Sequence, residues 1–145
     1  MRTICADEAR TWLRNNGVSL AAKIEEIIGS FDFSKAVYLQ QFEPGQVLYQ
    51  FIRRSSAQDS SPMAGNWFCL KGARASGLAI IDGLSGRGLH AFRVARAFTA
   101  LEGTAKKQPV QWSWSGGGQG GATQVYVPVT LVRACMIPQG AHEAW

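Results

Sequence analysis

The sequence contains few of the residues that build metal sites and disulfide frameworks. It has three cysteines and two histidines in 145 residues. Cys5, Cys69 and Cys135 are widely spaced and form no Cys-x-x-Cys pair, which argues against a disulfide framework or a zinc site. We therefore expect no metal centre, and we interpret the three cysteines as buried or incidental thiols.

Long hydrophobic runs are also missing. The longest apolar stretches fall far below the ~20 residues that a helix needs to span a bilayer, so we expect no membrane span. Residues 1–8 lack the hydrophobic segment of a secretory signal peptide. Hydrophobic side chains nevertheless make up 46% of the chain, which is enough for residues 1–145 to fold as one domain.

The second part of the chain is poor in acidic residues. Residues 44–145 carry ten basic and four acidic side chains, whereas residues 1–43 carry five basic and six acidic ones. The basic surplus is either a solvated surface or favours an anionic partner, such as a nucleotide diphosphate or an acidic inhibitor protein. No arginine-rich arm or ribonucleoprotein motif is present, so we do not expect nucleic acid as the partner. The four acids show no pairing that would support a two-carboxylate hydrolase; they are Asp59, Asp82, Glu102 and Glu143.

The familiar hydrolase and phosphate-binding motifs are absent as well. The sequence has no Gly-x-Ser-x-Gly elbow, no Walker loop and no His-Glu-x-x-His helix. His90 is expected to be a polar residue at a strand edge, and His142 lies in a tail that we expect to fray. The residues that are left to form a functional site are glutamines, arginines, aromatic residues and a glycine-rich loop.

The hydrophobic periodicity predicts two helices followed by many short strands. One helix is expected over residues 6–16. A second helix is expected to be capped by Ser19 and to end at Gly29, and an apolar stripe runs along one side of it. From residue 36 the period becomes two, which predicts a β-hairpin or corner around Glu43-Pro44-Gly45. Further strands are expected at Trp67–Leu70, Leu78–Ile81, Leu89–Phe98, Thr123–Val129 and Leu131–Ile137. The pattern indicates an α+β domain, in which a helical layer (residues 1–35) covers a strongly bent antiparallel sheet (residues 36–137).

Two glutamines lie where a ligand site is plausible. Five glycines occur within residues 116–121, directly before the strand that holds Gln124, and such a loop is either a functional element or a flexible connection. Gln119, within the glycine run, is the second candidate there. Gln50 alternates with aliphatic neighbours on a strand, so its amide is either a satisfied core group or faces a ligand.

Four segments carry a resemblance to a known family: Phe42 to Phe51, Gly65 to Phe68, Ala91 to Val94 and Gly120 to Pro128. In their order they resemble bacterial polymorphic toxins of type 46, and more distantly the mycobacterial necrotizing toxin. The resemblance implies an ADP-ribosyltransferase-like fold and an NAD(P)+ glycohydrolase activity, with no cofactor beyond the substrate. It also implies a cognate immunity protein, and an effector secreted without a signal peptide that acts in the cytoplasm of competitor cells.

The same resemblance implies roles for individual residues. Gln50 and Gln124 match the catalytic positions and would orient the nicotinamide ribose. Transferases of this fold usually have glutamate where Gln124 stands, so the amide favours hydrolysis over transfer. ADP-ribosyl transfer to protein or RNA, and a non-enzymatic basic binding module, remain the alternatives. The residues implied in binding the dinucleotide are Tyr49, Trp67, Phe68, Arg87, Arg93 and Gly121.

Overall fold

The computed structural model describes residues 2–53, 66–72, 87–106 and 120–141. These ranges form an α+β structure, as the sequence predicts, and none of their helices is long and apolar enough to cross a membrane. The elements in chain order are β1 (Arg2–Thr3), α1 (Ala6–Asn15), α2 (Ala21–Gly29), β2 (Tyr38–Phe42), β3 (Val47–Arg53), β4 (Trp67–Cys69), β5 (Arg87–Val94), β6 (Phe98–Thr104), β7 (Thr123–Tyr126), α3 (Val129–Cys135) and β8 (Met136–Ala141).

The eight strands form one antiparallel sheet in the order β1-β2-β6-β7-β4-β3-β5-β8. Strands β2 and β3 follow each other in the chain but pair with different partners, β2 with β6 and β3 with β4 and β5. The turn at Glu43-Pro44-Gly45 is therefore a corner, and the hairpin alternative is wrong. Gly45 has a φ of 94°, a conformation that favours glycine at this sharp change of direction.

The two N-terminal helices lie where the periodicity predicts them. Helix α1 starts with a capping box, in which the Cys5 backbone N–H donates to the Glu8 carboxylate over 3.3 Å. The stripe of α2 is buried as expected at Ile24, Ile27 and Ile28. Its cap residue is Leu20, without a side-chain hydrogen bond, so the predicted cap at Ser19 is wrong.

The C-terminal part departs most from prediction. Residues 129–135 form helix α3 instead of a strand, and β8 begins only at Met136. The valines favour a strand by propensity, but tertiary packing buries Val132 and Cys135, three residues apart, on one side of a helix. The predicted strand over residues 89–98 is two strands, β5 and β6, because the chain bends near Arg96. The predicted strand at residues 78–81 lies outside the described residues.

The sheet has two faces with different contents. Helices α1 and α2 pack on what we call the helix face, where they form one hydrophobic cluster with strand residues. Helix α3 packs on the opposite face, which we call the Gln50 face, through Val132 and Cys135. Alternation along the strands and the cross-strand register assign each residue to a face. The Gln50 face carries Leu48, Gln50, Phe68, His90, Phe92, Glu102 and Val125, and the helix face carries Tyr49, Trp67, Ala91, Leu101, Gln124 and Tyr126.

Candidate active site

Gln50, in the middle of β3, is a buried amide with its orientation fixed. The residue is only 5% exposed, and its Nε2 donates a hydrogen bond to the Trp67 carbonyl oxygen over 3.1 Å. A flipped amide would place two acceptors against each other, so this contact identifies which end is oxygen. The Oε1 atom has no hydrogen-bond partner among the described residues. A buried acceptor left in this state costs about 1–3 kcal/mol, which marks it as a candidate ligand contact.

His90 lies directly across from Gln50 on the neighbouring strand. The two residues are register partners in the β3–β5 ladder, which puts their Cβ atoms about 4.5–5.5 Å apart on one face. The buried Nδ1 atom of His90 also lacks a hydrogen-bond partner among the described residues. Gly88, on the same face, adds no side chain beside the ring. Register partners of adjacent strands thus each carry a buried polar atom that has no hydrogen-bond partner among the described residues.

Glu102 stands further along the same row of residues. Glu102 pairs with Val125, and Val125 pairs with Phe68. Because Cys69 pairs with Tyr49 in antiparallel strands, its neighbour Phe68 lies opposite Gln50. Three interstrand spacings, roughly 14 Å, separate Glu102 from Gln50 along the sheet. Partial burial raises the pKa of the Glu102 carboxyl above its ordinary value. Phe68 and Val125, which lie between Glu102 and Gln50 in this row, are buried in the hydrophobic cluster of the Gln50 face.

Gln124 is also buried but faces the other way. It pairs with Cys69, which pairs with Tyr49, so it belongs to the helix face, whereas Gln50 belongs to the opposite one. Its Nε2 donates to the Ser30 carbonyl oxygen over 2.7 Å, just after α2, and that oxygen also accepts from the Lys106 backbone N–H at 2.9 Å. The structure does not bring the two predicted catalytic glutamines onto one face.

Gln124 thus connects the sheet to the end of α2, which leads to a first prediction. We expect Gln124→Ala to lower the free energy of unfolding by about 1–3 kcal/mol, because a buried hydrogen bond is lost. Turnover per folded molecule should change only a few-fold. Thermal denaturation and an activity assay on the same sample test this. A loss of about 100-fold in turnover with an unchanged melting temperature would instead support the predicted catalytic role of Gln124.

The predicted aromatic pair is divided between two hydrophobic clusters. Phe68 is buried in the cluster of the Gln50 face, where its ring meets Phe92 edge-on at 5.2 Å. Trp67 packs on the helix face against Phe31 and Tyr126 at 5.4 and 4.9 Å. Both rings have partners in the protein interior, so packing accounts for their positions, and their role in binding the dinucleotide stays a prediction.

Tyr49 and its neighbours form a third, small apolar cluster on the helix face. Tyr49 is buried there with Cys69, Leu89 and Ala91. Burial raises the pKa of the Cys69 thiol to about 12, so this thiol stays protonated and is a poor nucleophile at neutral pH. All three cysteines of the chain are free thiols, and only Cys5 is exposed.

Arg87 and Arg93, the two arginines implied in binding the dinucleotide, stand near opposite ends of β5. Arg87 pairs with Arg53 and Arg93 pairs with Val47, a separation of about 20 Å along β5. The Gln50–His90 pair lies between these two ends. Their predicted role in binding the dinucleotide stays a prediction.

The glycine loop is described only at its end. Gly120 and Gly121 have φ values of 79° and 94°, which other residues rarely adopt. The backbone N–H of Gly121 donates to the Ala105 carbonyl oxygen over 3.0 Å, which ties the loop end to the strand ladder. Gln119 lies outside the described residues.

Comparison with solved structures gives a clear result for the fold. The chain shares its fold with Tse6. In the structure of Tse6 in complex with Tsi6, the match has a TM-score of 0.69 at 19% identity and covers 96% of this chain and 95% of that one. Rhs1-CT, in complex with its cognate immunity protein RhsI1, matches with a TM-score of 0.52 at 18% identity over 79% of this chain and 88% of that one. No protein-family model matches the sequence, and no curated protein gives a significant match.

The sheet register identifies two residues that sequence reasoning passed over, His90 and Glu102. Alternation along β6 places Glu102 on the same face as the buried Phe98 and Ala100, and a carboxyl group at an otherwise apolar position is a detectable signal. Nothing in the sequence signals that His90 stands across from Gln50. Within the described ranges, no group of three or more His, Cys, Asp or Glu residues is arranged to hold a metal ion.

Proposed function

We propose that the protein is an NAD(P)+ glycohydrolase toxin, which cleaves the bond between nicotinamide and ribose to release nicotinamide and ADP-ribose. The observation that carries the proposal is the buried Gln50 amide. Its Nε2 donates to the Trp67 carbonyl oxygen, and its Oε1 acceptor has no partner among the described residues. The resemblance to type 46 toxins and the fold shared with Tse6 and Rhs1-CT support it. On the same grounds we propose that the fold is of the ADP-ribosyltransferase-like type.

The chemistry of the reaction fits the residues of the Gln50 face. Nicotinamide leaves the dinucleotide as a neutral molecule, so breaking its bond to ribose needs no general acid. The protein must orient the ribose and stabilise an oxocarbenium-like transition state, and hydrogen bonds to sugar hydroxyls that strengthen in that state are an effective means. Gln50 Oε1 accepts such a bond without titrating.

Glu102 lies on the same face of the sheet, but roughly 14 Å from Gln50. At that distance its carboxylate attracts the positive charge on a ribose bound at Gln50 only weakly. Burial disfavours the ionised form and raises its pKa, so the charge is maintained at a cost to the folded state.

This cost leads to a prediction for Glu102→Gln. A carboxyl group with a raised pKa in the folded state lowers stability as the pH rises from the ordinary glutamate range through that pKa. The variant should therefore be more stable than wild type at pH 7, with no difference at low pH, and its turnover should change little because Glu102 lies roughly 14 Å from Gln50. Melting curves and rates across pH test this, with Glu43→Gln as the exposed control; lower stability at pH 7 would contradict it.

We also propose that a cognate immunity protein binds this chain in the producing cell, and that the chain is delivered to competitor cells. Rhs1-CT has such an immunity partner. The net charge of +5 favours an acidic inhibitor.

Expression of the protein in bacteria should lower cellular NAD+ and stop growth. The Gln50→Met variant should leave both the NAD+ level and growth unchanged.

The reaction itself is tested with purified protein and NAD+ labelled in its adenosine part, with and without bacterial lysate. The expected result is equal amounts of nicotinamide and free labelled ADP-ribose under both conditions. Label attached mainly to protein or RNA would establish a transferase instead. Absence of nicotinamide release under both conditions would favour the basic binding module.

A further inference from the structure

We propose that an acidic immunity protein docks on the side of the sheet that faces away from Gln50, through a row formed by Val47, Arg93 and Ile137. We call these three residues the Arg93 row. The inference rests on the proposed function and adds the surface that the partner recognises. It starts from two aliphatic side chains that are exposed on either side of an arginine.

The Arg93 row runs across three neighbouring strands, β3, β5 and β8. Val47 pairs with Arg93, and Arg93 pairs with Ile137, so the Cβ atoms of partners lie about 4.5–5.5 Å apart. Alternation from Tyr49 assigns the row to the helix face. Val47 is 39% exposed and Ile137 is 41% exposed. The row is therefore an apolar surface with a cation at its centre.

Helices α1 and α2 do not extend over this part of the helix face. The hydrophobic cluster that they form with the sheet contains residues of β2, β4, β6 and β7 and no residue of β3, β5 or β8. The methylene groups of an arginine side chain add apolar area beside its neighbours. Adjacent exposed apolar groups, unlike a single exposed side chain, indicate a surface that a partner covers.

The arginines at this end of the sheet have no acidic partner in the described part of the chain. The four ion pairs found there all lie within residues 2–26, so they include none of Arg93, Arg96 and Arg133. Arg96 and Arg133 are exposed. The backbone N–H of Arg96 donates to the Cys135 carbonyl oxygen over 3.2 Å, directly before β8. Cations without acidic partners beside an apolar row favour an acidic protein as the occupant.

The free edge of the sheet does not suit the addition of a strand. Strand β8 is the last strand of the sheet, but Pro138 in its middle has no backbone N–H to donate to an added strand. Gly140 has a φ of 90°, and the register with β5 shifts between Ala91 and Phe92, which interrupts a regular ladder. The partner is therefore expected to contact the side chains of the Arg93 row and not to extend the sheet.

The immunity protein for the test is selected by its effect on growth. Bacteria that express the chain are transformed with a library of genes from the producing organism, and the gene that restores growth supplies the protein. Its affinity for wild type and for variants of the chain is then measured by calorimetry at two salt concentrations.

The double variant Val47→Asp with Ile137→Asp should bind the immunity protein about 100-fold more weakly. Apolar contacts are lost, and two carboxylates then face an acidic partner. The double variant Val47→Lys with Ile137→Lys should lose less affinity, because its charge attracts that partner. Both double variants should release nicotinamide at the wild-type rate in the absence of the partner. Arg93 is left unchanged, because it is also implied in binding the dinucleotide.

Arg96→Glu tests the surface without a change inside the sheet. Because Arg96 is exposed in the turn between β5 and β6, its substitution should leave the fold intact even if the double variants fail to fold. The affinity should fall about tenfold, and it should depend less on salt than that of wild type, since screening acts on the charge that is removed.

Two matched controls make the same chemical changes elsewhere. Leu20→Asp replaces an aliphatic residue that is 72% exposed before α2, and Arg14→Glu replaces an exposed arginine in the last turn of α1. Neither control should change the affinity. A loss of affinity in these controls, with none in Arg96→Glu and the double variants, would place the interface on the helical layer and overturn the proposal.

Failure of the docking surface and failure of the proposed function give different results, because nicotinamide release is measured without the partner. Release by a chain whose variants all bind the immunity protein equally overturns the docking surface and leaves the glycohydrolase. Binding that depends on the Arg93 row, without nicotinamide release, supports the surface in a toxin of another activity. If a library that covers the whole genome yields no protective gene, the immunity partner and its docking surface are both wrong.

Discussion

Gln50→Met should reduce the rate of nicotinamide release from NAD+ by about 100-fold while the protein stays folded. Methionine matches glutamine in length and shape but cannot accept a hydrogen bond from a ribose hydroxyl. A hydrogen bond that strengthens in an oxocarbenium-like transition state is worth several kcal/mol, and 100-fold corresponds to about 2.7 kcal/mol. The rate under saturating NAD+ is the measurement.

Stability distinguishes this effect from damage to the fold. The substitution removes the bond to the Trp67 carbonyl and also an acceptor that has no partner in the described part of the chain, so the two effects largely offset each other, to within about 1 kcal/mol. Gln41→Met is the matched control, because Gln41 is exposed and its side chain donates to Glu43 at the corner. Full activity of Gln50→Met would show that Gln50 is an ordinary core residue and would remove the main support for the proposed function.

Phe92→Ala should lower the free energy of unfolding by about 3–5 kcal/mol. Phe92 is fully buried and pairs with Leu48. Its ring meets Phe68 edge-on, on the same face of the sheet as Gln50 and His90. Truncation leaves a cavity where the sheet supports Gln50 and His90, and a loss of this size is a large share of the stability of a small domain.

The control for this prediction is Phe33→Ala, the same chemical change at a half-buried position. It should destabilise clearly less, because a partly exposed ring loses fewer contacts and leaves no closed cavity. Chemical denaturation of the three proteins provides the comparison. Equal losses for both variants would mean that the Phe92 site collapses around the smaller side chain.

Several features follow from the sequence because they depend on neighbours along the chain. The helix over residues 6–15, the buried stripe of α2 and strands β3 and β4 match their patterns, since period and capping are local properties. Alternation also placed Gln50 and Tyr49 on opposite faces of β3. The identity of α3 could not be predicted, because its valines suit a strand equally well and packing against the sheet decides between them.

The sequence by itself determined the α+β class and the position of the turn at Glu43-Pro44-Gly45. Tertiary structure alone decided which strands are neighbours. That order places His90 beside Gln50, aligns Glu102 with both and turns Gln124 toward Ser30. The physical reason is that strand partners lie far apart in the chain, so a side chain's face is readable from local alternation, but the residue across from it is set only by the folded sheet.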